Sequence, residues 1–250
     1  MSLTVATAGK GGTGKTTVAA LTVRYLLERG VRPVLAVDAD ADAGLNELLG
    51  LPLPRGLGAV REGMRRVKGM SKEAYVEAGL AQAVEEGQGF DLLAMGRPEG
   101  PGCYCAANSL LSRHLARLAG NYPAVVIDNE AGLEHISRLV TRRLDLMLVV
   151  SDASRRGLRA AARIRELVAE VGLEVGRARL IVNRAAGPLP AALAAEASAV
   201  GLGEPHLIPA DAAITQAEVQ GTPLFALPAD GPAYEALTRL LAAELARLGA

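Results

Sequence analysis

Six short, largely apolar runs punctuate the chain: Leu3–Ala8, Val34–Val37, Phe90–Ala94, Ala124–Ile127, Leu146–Val150 and Leu180–Val182. Such runs predict strands buried on both faces, and His206–Ile208 predicts one more. Helical patterns fall between several of them, over the residues up to Glu28, then Ala106–Ala119, Arg155–Val171, Leu189–Val200 and Tyr234–Leu248. Gly30 and Gly172 stand where helix C-termini favour glycine. Buried strands alternating with helices predict an α/β fold, a doubly wound and mainly parallel sheet flanked by helices. Residues 51–88 break the pattern with scattered Gly, Pro and mixed charge, and predict an inserted helical or mobile segment. Without an internal repeat or a linker, residues 1–250 read as a single domain.

Composition narrows the function. The 250 residues carry 27 basic and 27 acidic side chains and only 3% aromatics, so there is neither a broad basic field nor much material for stacking bases. No partnership with nucleic acid is expected. No run approaches the ~18 apolar residues of a membrane span, and no basic stretch leads into an apolar one at the N-terminus, so a cytoplasmic protein with no membrane partner is expected. Two cysteines, Cys103 and Cys105, are too few for a disulfide scaffold. Arg outnumbers Lys by 23 to four, yet two of the lysines, Lys10 and Lys15, share one glycine run. That choice suits a site needing a compact ammonium.

The run is Gly9-Lys10-Gly11-Gly12-Thr13-Gly14-Lys15-Thr16, which matches G-x-x-x-x-G-K-[ST] between an expected strand and an expected helix. Backbone N–H groups of Gly11, Gly12, Thr13 and Gly14, with Thr16 and Thr17 opening the helix, would cradle phosphates. Lys15 would reach the outer phosphates, and the Thr16 hydroxyl would hold Mg²⁺. Asp38 and Asp40, spaced by two at a strand end, would lie on the phosphate side, Asp38 toward Mg²⁺ and Asp40 orienting water. Asp42 is expected to cap a helix. Asp128 ends an apolar strand, the usual place for a carboxylate holding Mg²⁺ directly or through water.

Lys10-Gly11-Gly12-Thr13-Gly14-Lys15-Thr16-Thr17 resembles the deviant Walker A loop of the MinD, ParA and nitrogenase iron protein ATPases. The resemblance implies a nucleotide-sandwiched homodimer in which Lys10 reaches the partner's phosphates, making Lys10, Lys15 and Asp40 the catalytic set. It also implies a base pocket from Asn183 and Arg184 and from Pro209 and Asp211. The N-K-x-D pattern that selects GTP is absent, which favours ATP and ADP as ligands.

Gly96 to Gly102 is rich in Gly and Pro and leads into Cys103-Tyr104-Cys105, just before an expected helix. Thiols near a helix N-terminus favour the thiolate, and two of them make half of a four-thiolate site for Ni²⁺ or Zn²⁺. Two chains of a symmetric dimer would supply all four. The stretches Pro98–Cys105, Asp128–His135 and Ser151–Gly157 resemble the CooC-type ATPases, accessory proteins of nickel carbon monoxide dehydrogenase maturation. That resemblance implies an ATPase that inserts nickel into an apo carbon monoxide dehydrogenase, with residues 128–134 as a switch. The chain departs from the common form at Ala41, where Pro is frequent. Two alternatives share the fold. A MinD- or ParA-like positioning switch would need a basic amphipathic terminal segment, but Tyr234–Leu248 sets only Arg239 and Arg247 against Glu235 and Glu244. An iron–sulfur carrier of the Mrp type commonly uses C-x-x-C. His135 is expected to be a surface or hydrogen-bonded residue, and His114 and His206 carry no motif.

Overall fold

The computed structural model describes residues 2–40, 42–64, 67, 69–96, 105–130 and 143–249, with only the backbone of residues 105–109. The strands are β1 (Leu3–Gly9), β2 (Val34–Ala39), β3 (Val84–Glu86), β4 (Phe90–Ala94), β5 (Ala124–Asn129), β6 (Arg143–Ser151), β7 (Glu174–Ala185) and β8 (His206–Pro209). The helices are α1 (Lys15–Glu28), α2 (Leu45–Leu49), α3 (Leu57–Gly63), α4 (Lys72–Ala83), α5 (Cys105–Ala119), α6 (Arg155–Glu170), α7 (Ala191–Ala199), α8 (Ala212–Gln220) and α9 (Pro232–Leu248). The strands form one sheet in the order β3-β4-β2-β5-β1-β6-β7-β8. Among the described strands only β3, at one edge, runs antiparallel to its neighbour.

Period two distributes each strand between two cores. Val5, Val34, Ala36, Val126, Leu146 and Leu148 enter the core closed by α1, α2 and α9. Ala6, Ala8, Leu35, Val37, Val125, Ile127, Met147 and Val149 enter the opposite one, closed by α3, α4, α5 and α6. Burial on both faces explains why these strands read as continuous apolar runs, each large side chain contributing about 1.5–3 kcal/mol.

Three expectations are refined. Within residues 51–88 the chain forms α3, α4 and β3, and Val76, Leu80 and Ala83 bury one face of α4 against the sheet. Gly79 lets α4 approach α3, because a Cβ there would stand 2.6 Å from Val60 Cγ1. β7 is far longer than the apolar run Leu180–Val182 announced. Its polar half is held by Glu244 of α9, which is fully buried and accepts from Arg177 Nε at 2.5 Å and Arg247 Nη1 at 2.6 Å, with Arg179 Nε at 3.3 Å. Burial pushes the Glu244 carboxyl up, but these guanidiniums outweigh it and hold it below the usual range. Finally, the cap expected from Asp42 comes from elsewhere: the amides of Gly44 and Leu45, which open α2, both donate to Asp38 Oδ2 at 2.9 Å.

The terminal helix α9 lays Ala233, Tyr234, Ala236, Leu237, Leu240, Leu241 and Leu245 into the core. Among the described residues no helix is long and apolar enough to cross a membrane.

Candidate functional site

The carboxyl ends of β1, β2 and β5 lie side by side, with Thr7 opposite Asp128 and Asp38 opposite Asp128 in register. In a parallel sheet this is where ligands bind, and the loop of residues 9–14 crosses it before α1. Within the loop, Thr13 Oγ1 donates to the Lys10 carbonyl at 2.8 Å and Lys15 Nζ reaches the same oxygen at 3.4 Å. Lys15 is only 8% exposed, whereas Lys10 is exposed. The loop is therefore pinned by its own backbone while its two ammonium groups occupy different environments. Gly14 initiates α1 at φ 89°, and a Cβ there would collide with Asn183 Nδ2, so only glycine fits.

Beneath the loop lies an acidic wall. Asp128 is 1% exposed and accepts from Thr7 Oγ1 at 2.8 Å and from the Thr16 hydroxyl. Burial pushes its carboxyl up to about 6; Asp38 adds to the rise, while Thr16, Thr7 and Lys15 oppose it. Asp38, equally buried, is also pushed up by burial, against hydrogen bonds from the amides of Leu45, Gly44 and Asp40. Asp38, expected toward Mg²⁺, accepts from three backbone amides and so also anchors the start of α2. Asp40 Oδ1 accepts from the Asp42 amide at 3.0 Å on the partly exposed rim. The hydroxyl of Thr16 and the buried carboxylate of Asp128 are a donor set suited to Mg²⁺, which keeps several waters and takes one or two carboxylates plus substrate phosphates. Bound there, Mg²⁺ would neutralise phosphate charge.

The raised Asp128 sets a pH dependence. Between its ordinary range and about 6, the folded chain holds a proton that the unfolded chain has released. Stability from this group is complete below that window and lost as pH rises through about 6. Asp128→Asn should therefore stabilise the nucleotide-free protein at pH 7.5, by on the order of 2 kcal/mol, and change little at pH 4. Thermal melts at both values test this. A less stable variant at pH 7.5 would refute it.

The expected base-pocket residues reach the loop from β7. Asn183 Nδ2 donates to the Thr13 carbonyl at 2.9 Å, and Arg184, at φ 55°, reaches the Gly12 carbonyl with Nη1 at 3.4 Å. Pro209 ends β8 beside Ala185. Asp211, expected in the base pocket, accepts at Oδ1 from the Ala213 amide at 2.9 Å and at Oδ2 from the Ala233 amide at 3.3 Å, so it caps α8 and fastens α9. Thr17, expected at the phosphates, donates its hydroxyl to Glu218 Oε1 at 2.8 Å. Thr7 and Glu218 carry no sequence motif, and Asn129, inside the stretch 128–135, has no expected role of its own. Asn129 Nδ2 holds the Thr7 carbonyl at 2.8 Å, across 122 positions of chain. Cys103 and residues 131–142, with His135, lie outside the described residues, and Cys105 is described only as the first residue of α5.

A family model described as the CobQ/CobB/MinD/ParA nucleotide binding domain matches residues 4–224. Over 238 residues, 92% of this chain and 94% of the relative, the sequence is 36% identical to an uncharacterized ATP-binding protein of Methanocaldococcus jannaschii. Over 203 residues, 74% of this chain and 75% of the relative, it is 33% identical to the carbon monoxide dehydrogenase accessory protein CooC of Rhodospirillum rubrum. The cell division ATPase MinD of Pyrococcus furiosus superposes with a TM-score of 0.73 at 24% identity, covering 99% of this chain and 100% of that one. The septum site-determining protein MinD of Pyrococcus horikoshii, complexed with Mg-ADP, gives 0.70 at 24% identity, covering 100% and 99%. Both structures share the fold of this chain. The chain belongs to the CobQ/CobB/MinD/ParA family of nucleotide-binding domains, a family of P-loop ATPases.

Proposed function

We propose that this chain is an ATP-dependent metallochaperone that dimerises around nucleotide, holds Ni²⁺ or Zn²⁺ between Cys103 and Cys105 of two protomers, and assists nickel insertion into an apo carbon monoxide dehydrogenase. The observation that carries the reading is a C-x-C pair, its second cysteine opening α5, in a chain 33% identical to a carbon monoxide dehydrogenase accessory protein. Because α5 leaves the carboxyl end of β4 and returns to the amino end of β5, its N-terminus stands on the nucleotide side of the sheet. The helix N-terminus favours thiolates, and Asp128 lies near the carboxyl end of β5, the strand that follows α5. A closed thiolate site generally needs four ligands, so one pair per chain asks for a second copy.

In this reading Lys15, Thr16 and Asp128 hold the Mg²⁺-nucleotide in one protomer. Lys10 supplies charge to the partner's phosphates and Asp40 orients the attacking water. Loss of the γ-phosphate loosens the dimer and with it the shared metal site, releasing the ion to the dehydrogenase.

Metal content and oligomeric mass of anaerobically purified protein, incubated with Ni²⁺ with and without ATP, test the proposal against the Cys103→Ser/Cys105→Ser variant. One cation per two chains is expected, lost in the double variant. ATP-dependent dimers with no thiol-dependent metal would overturn delivery and point instead to a MinD-like positioning role.

A further inference from the structure

Thr17 is the third residue of α1, at the helix end that faces the phosphate site, and it is 8% exposed. Its single hydroxyl proton is committed to Glu218 Oε1 at 2.8 Å, a residue 201 positions away on α8. No acidic residue lies in the first turn of α1 itself. A helix N-terminus favours negative charge, and here a carboxylate from another element supplies it. Glu218 thus sits where a phosphate oxygen arriving at Thr17 would have to compete.

We propose that Glu218 is an acidic gate on the phosphate loop, competing with the phosphates of a nucleoside di- or triphosphate for the Thr17 hydroxyl. The inference rests on the loop being the nucleotide site. A carboxylate and a phosphate cannot both accept the one proton of Thr17, and side by side the two anions repel. A phosphate oxygen that takes the Thr17 hydroxyl breaks the Thr17–Glu218 contact and drives the carboxylate away. Glu218 lowers affinity for phosphorylated ligands and favours their release. Its helix also begins at Asp211, which caps α8 and holds the Ala233 amide of α9. Displacement of Glu218 consequently transmits phosphate occupancy to α8. Glu218 is a positioning residue here, acting through Thr17.

Calorimetric titration of ADP, pyrophosphate and adenosine into wild type, Glu218→Gln and Glu218→Asp separates the possibilities. Glu218→Gln should bind ADP and pyrophosphate about tenfold more tightly than wild type. Adenosine affinity should stay unchanged, and Glu218→Asp should stay near wild type for all three. A purely structural contact would give no split between adenosine and the phosphorylated ligands. Wild-type binding of ADP with no gain in Glu218→Gln, or weaker binding of ADP and adenosine alike, overturns the gate and leaves the nucleotide site standing. Absence of ADP binding by wild type overturns both.

Discussion

Lys15→Ala should weaken ADP binding at least about a hundredfold, a loss of about 3 kcal/mol, while leaving the fold intact. The side chain lies in a buried position, 8% exposed, yet among the described residues it makes only a long hydrogen bond, 3.4 Å to the Lys10 carbonyl. An ammonium with three donors and one weak acceptor retains capacity for phosphate oxygens, and charge-assisted bonds are the strong ones. The alternative role for Lys15 is as the cation facing Asp128, whose carboxyl it pulls down against burial. Both roles can be read from one variant. If Lys15 serves the phosphates, calorimetry with ADP loses its signal; if it serves Asp128 alone, ADP affinity stays within about threefold and only the melting temperature moves. The second outcome would remove Lys15 from the nucleotide site. Lys15→Arg should fail to rescue binding, because a planar fork is larger and differently directed than a compact ammonium.

How far the site could be read from sequence follows from chain distance. Residues 9–17 are consecutive, and the strand-loop-helix setting that gives them meaning is equally local. Asp128 was legible too, because a carboxylate ending an apolar strand stands out without knowledge of its neighbours. Thr7, Asn129 and Glu218 were not. Each acts through a partner more than a hundred positions away, 121 for Thr7, 122 for Asn129 and 201 for Glu218, and an isolated Thr, Asn or Glu has many uses. Asp38 and Asp211 show a second use that the sequence does not reveal. Their positions drew attention to ligands, and in the structure both carboxylates also accept from backbone amides at the start of a helix. Ser151–Gly157 is similar: Ser154 accepts from the Gly157 amide at 3.0 Å and caps α6, so part of the likeness in that stretch is helix initiation. The polar half of β7 escaped a reading based on apolar runs because Arg177 and Arg179 face a buried carboxylate on α9, a pairing that hydropathy does not see.

Lys10→Ala should lose ATP hydrolysis by about a thousandfold and lose ATP-dependent dimerisation with it, while binding ADP within about threefold of wild type. The separation comes from where the two halves of Lys10 lie. Its carbonyl is the inward anchor of the loop, taking the Thr13 hydroxyl at 2.8 Å and the Lys15 ammonium at 3.4 Å, and alanine keeps that carbonyl. Its side chain is exposed, so its removal leaves the cradle intact and subtracts only what the ammonium does beyond its own loop. If that action is in the partner's site, two inactive proteins should complement each other. Lys15→Ala still offers Lys10 to a partner but cannot hold nucleotide; Lys10→Ala holds nucleotide but offers nothing. Mixed in equal amounts with ATP and Mg²⁺, they should recover a fraction of wild-type turnover that neither shows alone. Loss of hydrolysis in Lys10→Ala with no recovery on mixing would place Lys10 in its own site, and hydrolysis and dimerisation at wild-type levels would remove it from the reaction.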